Sequence, residues 1–153
     1  MLTSKNAVRV RAEKGQSLME LAVGIVVLLI LVAGIVDLGR LLFFYIALRD
    51  AAQEGAVYGQ LNPRSCDQIG QRVNNYLGAS SGYLVNVRIK APAASTYANC
   101  SDVASNLNVS CSGSDLQVEV NAPFKFAMPF MGGTSLNLQT TVNATILRPI
   151  CGS

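Results

Sequence analysis

Lys14-Gly15-Gln16-Ser17-Leu18-Met19-Glu20 leads directly into sixteen uncharged residues, 21–36. At 1.5 Å per residue that run makes about 24 Å of helix. With Ser17, Leu18 and Met19 added it approaches the roughly 30 Å of a bilayer core. A carboxylate inside such a segment costs about 2.5–3.5 kcal/mol at the centre and less near an end. Glu20 is therefore either solvated among headgroups or turned toward a cation on another molecule, because its own helix offers no nearby base. A secretory signal would carry an apolar stretch of about 7–15 residues followed by a small-x-small cleavage site. This run is longer and flows into more helix without such a site. A plain signal anchor is the other reading, and Gly15 and Glu20 are what argue against it.

Upstream, the charge is lopsided. Lys5, Arg9, Arg11 and Lys14 stand against Glu13 before Gly15, whereas eight bases and eight acids are spread over residues 16–153. The whole net charge of +3 thus lies in a short leader. Basic flanks stay on the cytoplasmic side of a membrane, so the expected location is a single pass through the inner (cytoplasmic) membrane, N-terminus inside and C-terminal domain outside. A neutral remainder gives no basic face for nucleic acid, which is not expected as a partner. The lipid bilayer is.

Downstream, Leu38, Leu41, Leu42, Tyr45, Leu48 and Ala52 recur at spacings of three and four, with Asp37, Arg40, Arg49, Asp50 and Glu54 between them. This pattern predicts an amphipathic continuation of the same helix, ending near Gly59 and Pro63. Ser65 and Gln68 have the spacing of a capping box opening a second, short helix, with Ile69, Val73, Tyr76 and Leu77 on one face and Gly78 just past its end. The period then changes to two. Tyr83 to Ile89, Leu116 to Val120 and Leu136 to Ile146 each alternate apolar with polar residues, as half-buried antiparallel strands do. Residues 106–111 are a candidate fourth strand, 91–106 a loop, and Pro123, Pro129, Gly132 and Gly133 a break before the last strand. The expected fold is α+β: a leader over 1–15, a transmembrane and assembly helix over 16–61, and an exported β-rich domain over 62–153, built on a small antiparallel sheet with a short helix.

Cys66, Cys100, Cys111 and Cys151 all fall beyond the apolar run. An even count confined to an exported part points to disulfides. Three pairings are open; the preferred one is Cys100 with Cys111, closing a short loop, and Cys66 with Cys151, tying the domain's start to its end. Free buried thiols are the alternative. A four-thiolate metal site lacks a C-x-x-C pair and a histidine, so no metal is expected.

The chain contains no histidine, which removes His-based acid–base catalysis and most zinc catalysis. No nucleophile elbow or phosphate-binding loop occurs, and the carboxylates beyond the apolar run stand singly. The expectation is a structural subunit without cofactor, not an enzyme.

Gly15 followed by Glu20 as the fifth residue after it, behind a basic leader, resembles the type IV pilin-like signal. Gly34-Ile35-Val36-Asp37-Leu38-Gly39-Arg40, the alanines within 47–52, and Glu54-Gly55-Ala56 resemble TadE-like pseudopilins of tight-adherence (Flp/Tad) pilus systems. Pro123-Phe124, Pro129-Phe130 and Ala144-Thr145-Ile146-Leu147-Arg148-Pro149 look like that family's Pro-rich turn and final strand. The resemblance is strong over about residues 8–60 and loose beyond; a basic residue usual soon after Glu-Gly-Ala is replaced by Val57 and Tyr58.

The resemblance implies a pseudopilin-like subunit of a pilus assembly and secretion system. A prepilin peptidase would cut between Gly15 and Gln16. The partners would be other pilin or pseudopilin subunits and an inner-membrane assembly platform. Glu20 would pair with the new α-amine of a neighbour, Gly24, Ala33, Gly34 and Gly39 would allow close helix approach, and Asp37 and Arg40 would form an ion pair within or between subunits. The alternative is a bitopic membrane-anchored domain that never polymerises.

Overall fold

Nothing interrupts the helix between Asn6 and Leu61. The computed structural model describes residues 6–78, 82–106, 108–128 and 133–150, with side chains from residue 15 onward. Its first element, α1 (Asn6–Leu61), has 56 residues and is about 84 Å long. It starts ten residues before Gln16, so residues 6–14, read above as a leader outside the fold, are helical. Ala7, Arg9, Arg11, Ala12, Glu13 and Lys14 are residues with low intrinsic helix cost, which accounts for the extension. Pro63 disfavours helix at Asn62 and cannot donate a helical hydrogen bond itself; the last turn closes with the Asn62 N–H on the Tyr58 carbonyl at 3.1 Å.

The remaining elements are α2 (Cys66–Tyr76), β1 (Leu84–Lys90), β2 (Ala98–Asn99), α3 (Cys100–Val103), β3 (Asp115–Lys125) and β4 (Ser135–Thr145). The strands form one antiparallel sheet of order β2-β1-β3-β4. Register follows the alternation: Val85, Val87 and Ile89 lie opposite Val120, Val118 and Leu116 on one face. That face packs on α1 and α2 through Leu48, Ala51, Ala52, Ala56, Ile69 and Val73, all buried. The other face is polar, with Arg88 against Glu119 at 3.3 Å and Lys90 against Asp115 at 3.0 Å.

Strand β3 runs back along α1. Leu116 meets the helix at Gly59, and Phe124 stacks on Phe44 with ring centroids 5.9 Å apart. The approach is close because the helix is small there: a Cβ on Gly59 would lie 2.3 Å from Leu116 Cδ2, and one on Gly55 would lie 2.6 Å from Val73 Cγ2. The buried stripe of α1 is therefore Asp37, Leu48, Ala51, Ala52, Gly55, Ala56 and Gly59. Leu38, Leu42 and Tyr45, which the periodicity grouped with it, are exposed. Apart from Asp37 and Leu48, alanines and glycines take the inner side, and Leu38, Leu42 and Tyr45 are left outside.

Four local expectations are corrected. Ser65 precedes α2 but its side chain makes no capping hydrogen bond; Gln68 Oε1 instead accepts the Tyr58 hydroxyl, so the box is broken by a contact between helices. Residues 108–111 are turn and bend and Asn106 is irregular, none of them strand, held by the Ser110 N–H on the Asn106 carbonyl and by the Ser110 hydroxyl, whose one proton is shared between the Ala104 and Asn106 carbonyls. The fourth strand is Ala98–Asn99, inside the segment read as loop, paired with Arg88 and Ile89. Pro123 does not break β3 but lies within it, opposite Asn137. Strand β1 pairs only as far as Asn121, so Pro123 sits where β3 has become an edge, and edges tolerate proline. Pro129, Phe130 and Gly132 lie outside the described residues.

The disulfide expectation is also corrected. Cys66 and Cys100 are bonded, their Cα atoms 5.8 Å apart, which excludes Cys100–Cys111 and Cys66–Cys151. The first turns of α2 and α3 meet where the 91–106 segment folds back over the sheet, a non-local approach that loop length alone does not reveal. Cys111 is also disulfide-bonded; Cys151 lies outside the described residues.

Candidate functional site

Residues 15–32 of α1 have no intramolecular cover among the described residues. Every residue from 15 to 32 is exposed, Leu21, Leu28 and Leu31 at about 60%. The helix over Gly15–Leu61 is long and apolar enough to cross a membrane. Glu20 projects from this surface and has no ion-pair partner among the described residues. Gly24 stands one turn further on the same face. A Cβ added at Gly15, Gly24, Gly34 or Gly39 would meet nothing within 4 Å, so none of these glycines packs against another of the described residues. At about 100° per residue, Gly24 and Ala33 lie on opposite sides of the helix with Gly34 and Gly39 between. The small residues therefore form no single stripe; they thin the helix on several sides.

The peptide bond between Gly15 and Gln16 lies within the helix. Glycine weakens a helix by about 1 kcal/mol relative to alanine, so the backbone opens more easily here than at its neighbours.

At the far end of the apolar run the helix meets the domain through one carboxylate. Asp37 is 2% exposed. Its Oδ1 accepts from Arg40 Nη1 at 3.0 Å, and its Oδ2 accepts the backbone N–H groups of Met128 at 2.9 Å and Ala127 at 3.1 Å. Arg40 also lies over the Phe124 ring, 5.7 Å from its centroid. Phe44, Tyr83, Phe124 and Phe126 surround this point in tilted and edge-on contacts. The buried charge is thus compensated by one guanidinium and two amide dipoles, as buried charges require. The structure brings Asp37 and Arg40 together within one chain, with Gly34 and Gly39 beside them on the helix; Gly15, Glu20 and Gly24 stand apart from them and from the domain.

Sequence reasoning missed two parts of this arrangement. The amides of Ala127 and Met128 could not be foreseen as partners of Asp37, because backbone donors carry no residue signature. Gly55 and Gly59 were overlooked as packing positions although their four-residue spacing within an alanine-rich turn was visible. Neither the curated proteins nor the solved structures contain a match to this chain. The family model described as TadE-like protein matches residues 15–57, so the chain is similar to that family over the part of α1 that carries Gly15, Glu20, Asp37 and Gly55.

Proposed function

We propose that this protein is a pseudopilin-like structural subunit of a Tad/Flp-type pilus assembly and secretion system, matured by a prepilin peptidase between Gly15 and Gln16. The observation that carries the reading is the exposed apolar stretch of α1 over residues 15–32, carrying a carboxylate with no ion-pair partner among the described residues. A soluble protein would cover such a surface, and a simple anchor has no use for Glu20. The TadE-like match over the same residues supports it.

The mechanism is the one that the family resemblance implies. Cleavage removes the basic leader and exposes an α-amine on Gln16. Glu20 of one subunit pairs with that amine on a neighbour, which compensates both charges inside an apolar bundle. Gln16 and Glu20 are four residues apart, so the pair staggers adjacent helices by about 6 Å along the axis. Glycines open on several sides let more than one neighbour approach closely. The chain does no bond chemistry of its own; the peptidase, the other pilin subunits and an inner-membrane platform are its partners. The basic leader sets the domain on the extracytoplasmic side.

The test is to co-express the chain with a prepilin peptidase and sequence the mature N-terminus, then repeat with Glu20→Ala. Mature protein should begin at Gln16, and the variant should be cleaved but not assembled. An intact Met1 refutes the processing, and undiminished assembly of the variant refutes the pairing. Cleaved wild-type protein that never enters a polymer would favour a bitopic anchored domain instead.

A further inference from the structure

The apolar outer surface of α1 does not stop at Asp37. Leu38, Leu42, Phe43, Tyr45 and Ile46 are all exposed, Phe43 at 78%. The domain flanks this same stretch, with Phe124 and Met128 against the helix at Phe44 and Asp37. Between helix and sheet lies an open groove of about 660 Å³ lined by Arg40, Phe43, Phe44, Tyr83, Phe124 and Lys125, with no acidic residue in its wall. Lys125 is exposed and belongs to none of the ion pairs among the described residues.

The height of the groove identifies its occupant. Arg40 is twenty residues beyond Glu20, or about 30 Å along the helix, which equals the hydrocarbon thickness of a bilayer. With Glu20 at one interface, Arg40 and Lys125 stand at the other, in the plane of the headgroups. Aromatic side chains favour that plane, and the groove has four. Its floor continues into the lipid-facing side of α1, so a molecule with a charged head and two apolar tails can use both surfaces at once. Arg40 spends one donor on Asp37 and has others free for a phosphate, whose geometry a guanidinium fits.

We propose that this groove binds the phosphate of an anionic phospholipid from the extracytoplasmic leaflet, which seats the exported domain on the membrane before assembly. The inference rests on the membrane-spanning reading of α1. In the test, the full chain is reconstituted in phosphatidylcholine vesicles holding a minority of phosphatidylglycerol, washed with alkaline carbonate, extracted in mild detergent and weighed by native mass spectrometry. Basic residues near an anionic surface each contribute about a fivefold preference. Bound phosphatidylglycerol should therefore exceed its share of the bilayer by about tenfold or more. Lys125→Gln should reduce the excess about fivefold, and Lys125→Gln with Arg40→Gln should abolish it. Arg40 also holds Asp37, so the Lys125→Gln single variant carries the test if the double variant misfolds. Retention in proportion to bilayer composition, an excess that Lys125→Gln leaves unchanged, or a lipid-free dimer in its place overturns the inference while leaving the anchor intact. A chain stripped by carbonate removes the anchor reading and this inference with it.

Discussion

The carboxylate of Asp37 accepts the backbone N–H of Met128 at 2.9 Å, joining two residues 91 positions apart. It is the point where the apolar half of α1 is coupled to the sheet, and the same carboxylate holds Arg40. Hydrogen bonds to a charged acceptor are worth about 1.5–3 kcal/mol, and removing a buried acceptor strands its donors. Asp37→Ala should destabilise the detergent-solubilised chain by about 2–3 kcal/mol, read from urea unfolding. Asp37→Asn retains an acceptor for the amides and should lose roughly half as much. Equal losses would mean that the Arg40 pair, not the amides, carries the coupling.

The glycines of α1 divide into two sets with opposite expected behaviour. At Gly55 and Gly59 an added methyl collides with Val73 and Leu116. Overpacking of this kind costs about 1–3 kcal/mol, so Gly59→Ala should lower the thermal midpoint of the monomer. At Gly24, Gly34 and Gly39 the methyl meets nothing, and the better helix former should raise helix stability by up to about 1 kcal/mol each. Any damage from the second set should therefore appear in pulled-down assemblies and not in the melting of the monomer.

Removal of the Cys66–Cys100 bridge, which spans 34 positions, should cost stability on its own. Loop-closure entropy for that length corresponds to about 3–4 kcal/mol. Cys66→Ser with Cys100→Ser should lose stability of that order by denaturant titration. Peptide mapping without reduction should recover the Cys66 and Cys100 peptides joined; finding Cys100 joined to Cys111 would contradict the fold of the 91–106 segment.

The order of the two longer helices and the three long strands was readable from the chain because period and punctuation agreed. Val85, Val87 and Ile89, with Leu116, Val118 and Val120, alternate cleanly, and their register is the one in which those faces coincide. Gly78 was readable too: its φ of +80° is the left-handed turn that ends α2. What could not be read were contacts between distant segments. Ser65 was a sound capping candidate locally, yet Gln68 is drawn to Tyr58 on another helix. Leu38 and Leu42 fit the amphipathic pattern as well as Leu48 does, but only Leu48 is buried. A helix apolar on both sides has no single period, and no partner for its outer side is found among the described residues. The site divides in the same way: Gly15, Glu20 and Asp37 stand out against an apolar run, whereas the groove beside Lys125 exists only once β3 lies along α1.

Alkaline pH should loosen the polar face of the sheet at one position. A hydrogen bond from Lys90 to the Asp115 carboxylate, with that charge and Tyr97 nearby, raises the Lys90 pKa above the ordinary lysine range. Its folded-state pKa lies above the unfolded value, so its contribution is complete below the unfolded pKa and is lost as pH climbs through the folded one. Stability of Lys90→Met relative to the parent should thus be constant from neutral to mildly basic pH, and the two should converge only above about pH 10.5. Convergence near neutrality would exclude this pair as the cause.

Processing at Gly15 should be limited by unwinding. The bond to Gln16 lies inside α1, whereas a protease cleft binds extended backbone, so residues around it must leave the helix before cleavage. Gly15→Ala removes about 1 kcal/mol of helix weakness, which corresponds to about a fivefold smaller open population before any clash of the new methyl with the protease. The cleavage time course of Gly15→Ala by a prepilin peptidase should therefore be slower by fivefold or more. Ser17→Gly weakens the helix on the other side of the bond without adding an atom, and should speed cleavage of Gly15→Ala. If Ser17→Gly leaves that rate unchanged, the defect lies in the protease's fit to residue 15 and helix opening is not the limiting step.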